Sequence, residues 1–93
     1  MPPTDRRPKV NVDDIALVFK ETRDKLNQRL NEKGNGIFVS SHECFGILQE
    51  EVNEYLDTIQ ANDKVEQYNE LMDVAVAAMF AMASMHSGKM DWL

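Results

Sequence analysis

Three stretches of the chain repeat apolar residues at intervals of three and four, the spacing that places them on one face of an α-helix. In the first stretch Ile15, Val18, Phe19, Leu26 and Leu30 share a stripe. Asn11 stands before it as an N-cap, and Asp13 and Asp14 follow where the positive end of the helix dipole favours carboxylates. Gly34-Asn35-Gly36 stops the pattern, so the spacing predicts a helix over 12–33. In the second stretch Ser40 and Glu43 frame a capping box. The stripe Phe45, Leu48, Val52, Tyr55, Leu56 and Ile59 then predicts a helix over 41–60. Gly46 inside it costs about 1 kcal/mol relative to alanine and suggests close approach of another backbone. Ala61-Asn62-Asp63 interrupts, and Asp63 with Glu66 makes a second box. Val65, Tyr68, Met72, Ala75, Val76, Met79 and Ala83 predict a third helix over 64–86, closed by Ser87-Gly88.

No run alternates with period two, so the expected fold is all-α. From Val74 onward almost every face of the third helix is apolar or small, more than two neighbouring helices cover. The expectation is a three-helix protomer that forms a helical bundle by oligomerisation, as a dimer or a tetramer. Met79, Met82, Met85 and Met90 fit adaptable packing at such an interface. Residues 1–10 hold all three prolines and read as a disordered lead-in, leaving 11–93 as a single helical domain.

Charge narrows the partners. Ten Lys and Arg face 16 Asp and Glu, a net charge of −6. A nucleic acid or an anionic membrane needs a basic footprint, so neither is expected as a partner. The longest apolar run, Val74 to Met85, is too short for the about 20 residues a membrane span needs. No apolar region follows the basic residues near the N-terminus, which argues against a secretory signal. The single cysteine, Cys44, excludes an internal disulfide and a thiolate-rich zinc site, and favours a reducing, cytoplasmic setting. An acidic protein still accepts a phosphorylated ligand when a metal ion bridges the two.

The carboxylates are the candidate chemistry. At about 100° per residue, Glu51 and Glu54 fall on one flank of the second helix's stripe, and Glu70 and Asp73 on one flank of the third's. Antiparallel packing of the two helices brings the four together. Converging anions beside a core call for a cation, and an all-oxygen ligand set selects a hard one, Mg²⁺ or Mn²⁺. An i, i+3 acidic pair is common on a solvated helix face, so each pair alone says little; two pairs flanking consecutive core stripes say more.

These residues resemble a family. Glu50-Glu51-x-x-Glu54 followed by Glu70-x-x-Asp73 is similar to the E-E-x-x-E…E-x-x-D signature of the MazG-like all-α nucleoside triphosphate pyrophosphohydrolases. GILQEEVNEYLDTI resembles the first signature helix of that family and NELMDVAVAAM the second. The upstream NGIFVSSHECFG resembles the segment before that helix in small phage- or cassette-type members. The resemblance implies hydrolysis of a nucleoside triphosphate to monophosphate and pyrophosphate, with Mg²⁺, by an oligomeric helical bundle. By position it makes Glu51, Glu54, Glu70 and Asp73 the metal ligands and catalytic residues, with Glu54 the candidate base and Glu50 outside the ligand set. The chain departs from the family after Asp73, where many members carry phosphate-contacting side chains and this one has only apolar and small residues from Val74 to Ala83. A non-catalytic nucleotide- or metal-binding oligomer of the same fold is therefore the alternative. Phosphate contacts are sought instead on Lys20, Arg23 or Lys33 of the first helix, on Lys89, or on a second subunit.

Phe38 and Trp92 are candidates to stack on a base, and His42 to contact one. Phe45 and Phe80 read as core. Cys44 reads as a small core or interface residue.

Overall fold

The computed structural model describes residues 6–90. Among them are three helices and no strand: α1 (Val12–Lys33), α2 (Ser41–Gln60) and α3 (Lys64–His86). None of these helices is long and apolar enough to cross a membrane. Arg6 to Val10 is exposed and outside any helix; residues 1–5 of the expected lead-in, and Trp92, lie outside the described residues.

Local chemistry sets the helix ends. At α1 the Asn11 side chain accepts the Asp14 N–H at 2.9 Å while Asp14 accepts the Asn11 N–H, a complete capping box. Gly34 closes α1 at φ 78°, a left-handed value that favours glycine, and donates its N–H to the Leu30 carbonyl. At α2 the Ser40 hydroxyl accepts the Glu43 N–H. The Glu43 carboxylate, however, takes the Val39 N–H at 2.8 Å and so anchors the incoming loop rather than the cap residue itself. Asp63 caps α3 by accepting the Glu66 N–H, whereas the Glu66 side chain accepts from Asn69 and completes no box.

The three-residue link after α2, with Asn62 at φ 55°, turns the chain so that α2 and α3 form the main helix pair. The second half of α1 lies against α3. Between them the loop after α1 inserts Phe38, which meets Phe80 edge-on with ring centroids 4.8 Å apart. Leu26, Leu30, Cys44, Ile47 and Ala81 close around this pair. Ser84 fixes the loop: its buried hydroxyl accepts the Phe38 N–H at 3.0 Å and donates to the Phe80 carbonyl at 2.9 Å. A residue forty-six positions downstream thus satisfies a backbone donor that would otherwise be buried unpaired.

The packing differs from the expected stripes. On α2 the half-buried residues are Cys44, Ile47, Leu48, Glu51, Tyr55 and Thr58, a mixed face that includes Leu48 and Tyr55 of the expected stripe and has a carboxylate at its centre. Phe45, Val52, Leu56 and Ile59, the heart of the expected stripe, stay exposed, Phe45 at 67 %. Gly46 meets no other backbone: a Cβ there would point into open space. On α3 the buried residues are Val76, Ala77, Phe80, Ala81 and Ser84, while Val65, Tyr68 and Ala83 of the expected stripe are exposed. Ile15 and Phe19 of α1 are likewise uncovered. The physical reason is one of supply. Each helix carries two apolar sectors, and a lone protomer has enough partners for one.

Candidate metal centre

The mixed face of α2 sets Glu51 against the first half of α3, where Glu70 and Asp73 sit one turn apart. One carboxylate oxygen from each of Glu51, Glu70 and Asp73 lies within 4.8 Å of the other two. All three residues are half-buried. Glu54, one turn after Glu51 and more exposed, is close enough that its charge helps raise both Glu51 and Glu70. The four acids therefore share one neighbourhood, with Glu51, Glu70 and Asp73 as its tight centre.

The electrostatics are those of a crowded anion cluster. Burial pushes the Glu51 carboxyl up to about 7, and the charges of Glu54, Asp73 and Glu70 push it the same way. Glu70 is raised too, first by burial and then by Asp73 and Glu54. Oxygen Oε2 of Glu51 and Oε2 of Glu70 are both sealed from solvent without a hydrogen-bond donor. An unpartnered buried carboxylate oxygen is costly, and a proton or a cation removes the cost. Among the described residues, the cation that pairs with the cluster is Lys25, whose Nζ is 3.9 Å from Asp73, a loose contact. An all-carboxylate donor set with orphaned oxygens fits a hard divalent ion such as Mg²⁺ or Mn²⁺.

A cavity of about 350 Å³ opens beside Glu51 and Asp73. Its opposite wall is α1, which contributes Lys25, Gln28, Arg29, Glu32 and Lys33, and its floor holds Phe38, Val76 and Ala77. Arg29 lies over the Phe80 ring, its guanidinium carbon 4.0 Å from the centroid, and 5.3 Å from that of Phe38.

The other sequence candidates fall in different places. Phe38 lines the cavity but is buried, its ring committed to Phe80 and Arg29 rather than presented for stacking on a base. Lys20 is exposed on the far part of α1 and paired with Asp24 at 2.7 Å; neither it nor Arg23 lines the cavity. His42 is exposed in the first turn of α2, and Lys89 is exposed beyond α3; neither reaches the cavity. Lys33 does line it, and Glu50 stands at its edge. Lys25 and Arg29 were not legible as site residues. The signal was there: Arg29 sits between Leu26 and Leu30 in the part of α1 that packs, a place where a cation needs a reason. Comparison of the chain with protein-family models, with curated proteins and with solved structures finds no match.

Proposed function

We propose that this chain is a Mg²⁺-dependent nucleotide pyrophosphohydrolase, cleaving a ribo- or deoxyribonucleoside triphosphate to the monophosphate and pyrophosphate. The observation that carries the reading is the convergence of Glu51, Glu70 and Asp73 across the α2–α3 contact with two carboxylate oxygens left unpartnered. The resemblance of the 50–54 and 70–73 segments to the MazG-like signature supports it. Glu51, Glu70 and Asp73 would hold the ion, with Glu54 at its edge. A bound Mg²⁺ supplies charge stabilisation at the phosphate oxygens. In the hydrolysis a water oxygen bonds to one phosphorus of the α–β anhydride, the bond from that phosphorus to the bridging oxygen breaks, and the other half of the anhydride leaves, giving monophosphate and pyrophosphate. The water's proton passes to a carboxylate, and Glu54, the exposed member of the four, is the candidate acceptor.

The uncovered faces of α1, α2 and α3 support a homo-oligomer, dimer or tetramer, as the working form. The test of function is pyrophosphate release from a panel of nucleoside triphosphates with Mg²⁺. Wild type should release it, and Glu54→Gln and Asp73→Asn should each lose at least about 100-fold. Silence across the panel overturns the reading. A second reading, a non-catalytic nucleotide-binding oligomer, draws on α3: Val74 to Ala83 is apolar or small, and Ser84 is spent on the core. Nucleotide binding without product would favour it.

A further inference from the structure

The wall opposite the carboxylates carries a second unsatisfied charge. Arg29 has no ion-pair partner among the described residues, and its Nη1 is sealed from solvent without an acceptor. The Phe80 ring beneath it holds the guanidinium in place while offering no hydrogen-bond acceptor at its edge. Lys25 and Lys33 stand one turn to either side, and all three line the cavity. Among the described residues Lys25 makes only the loose contact with Asp73, and Lys33 has no ion pair. The acids on this wall do not neutralise the row: Glu32 accepts from the Gln28 amide at 3.0 Å and pairs with neither lysine nor Arg29. A row of three cations and the carboxylates Glu51 and Asp73 thus line one cavity of about 350 Å³.

We propose that Lys25, Arg29 and Lys33 form an anion rail on α1 that takes the phosphate chain of the nucleotide, with Arg29 as its fixed point. The inference rests on the proposed function for the identity of the ligand as a nucleotide, but not for the anion site itself. It explains how a chain with no polar side chain between Asp73 and Ser84 on α3 grips phosphate. The grip comes from the other wall. A guanidinium presents parallel N–H groups suited to phosphate, and the two lysines add point charges along the helix.

The test measures pyrophosphate binding by calorimetry and Mn²⁺ binding by electron paramagnetic resonance, on the full chain. Wild type is compared with Arg29→Gln, Arg29→Lys and the double variant Lys25→Gln/Lys33→Gln. With Mn²⁺ present, pyrophosphate affinity should fall at least ten-fold in Arg29→Gln, recover in part in Arg29→Lys, and fall three- to ten-fold in the double variant. Mn²⁺ affinity in the absence of pyrophosphate should hold or rise in all of them. Pyrophosphate affinity within two-fold of wild type in Arg29→Gln and in the double variant overturns the rail. Should Arg29→Gln fail to fold, the double variant decides, because its two side chains lie outside the core. A wild type that binds no Mn²⁺ overturns the metal reading instead. The rail then stands only if wild type binds pyrophosphate alone and the double variant does not.

Discussion

Glu51 occupies the centre of a helix–helix contact, and replacing it by glutamine should stabilise the metal-free protein at alkaline pH. The folded-state carboxyl titrates near 7 against an ordinary value of 4.5. At 1.36 kcal/mol per unit, this difference amounts to about 3 kcal/mol. Glu51 is only half-buried, so solvent screening brings the effect down to about 1–2 kcal/mol. The sign follows from proton linkage. Between pH 4.5 and 7 the folded state binds the proton that the unfolded chain has released. Metal-free stability is therefore greatest in acid and declines as pH rises through this window. Glu70 is shifted in the same direction and adds to the decline. Glu51→Gln retains the shape and removes the charge. At pH 8 without metal its melting temperature should exceed that of wild type by about 5–15 °C, with a flatter pH profile. Scanning calorimetry at fixed protein concentration, with chelator, at pH 5 and pH 8, measures both. A variant less stable than wild type at pH 8, or a wild type equally stable at both, would refute the electrostatic reasoning.

Three further outcomes follow from the packing and the site. Saturating Mn²⁺ or Mg²⁺ at pH 8 should raise the wild-type melting temperature, by about 2.7 kcal/mol of stability at one hundred times Kd; Asp73→Asn should lose most of this gain, and equal gains in both would remove Asp73 from the ligand set. Ser84→Ala should cost about 1–3 kcal/mol in urea unfolding, because it orphans the Phe38 N–H in the core; a cost below 0.5 kcal/mol would mean the loop is anchored by Phe38 packing alone. Phe45→Ser with Leu56→Ser should shift sedimentation equilibrium toward the monomer, since both side chains are exposed on the outer face of α2; an unchanged mass would exclude that face as the subunit contact.

The three helices were legible because each carries its own start and stop: Asn11 and Gly34 for α1, Ser40 for α2, Asp63 and Asn62 around the last turn. These signals act through atoms a few residues apart, so they survive any tertiary arrangement. The choice of buried face was not legible. The wheel of α2 favours Phe45, Leu48, Val52, Tyr55, Leu56 and Ile59, yet only Leu48 and Tyr55 of these are partly covered, and Glu51 is half-buried beside them. Hydrophobicity ranks faces but does not say which neighbour comes first, and α3 is only one of the partners the sequence anticipates. The acidic pairs were visible by spacing because i, i+3 residues share a face in any helix. The opposite wall was not, since Lys25 and Arg29 become site residues only through the path of α1 past Phe38 and Phe80. Phe38 shows the converse: an aromatic in a loop suggested an open ring, and the Ser84 hydroxyl pulls it into the core.

The helix α2 is read in two phases at once. Positions 44, 47, 51, 55 and 58 address α3 and the carboxylate centre, and positions 45, 52, 56 and 59 address the outside. A single inserted residue advances everything after it by about 100°. Inserted early in α2, it would carry Glu51 away from Glu70 and Asp73 and swing a different set of side chains toward α3. Substitutions along this helix are therefore graded in their damage, one face at a time, whereas a one-residue insertion or deletion strikes both messages together. Lineages of this chain should accumulate length changes before Val12 and keep the 41–60 segment at fixed length.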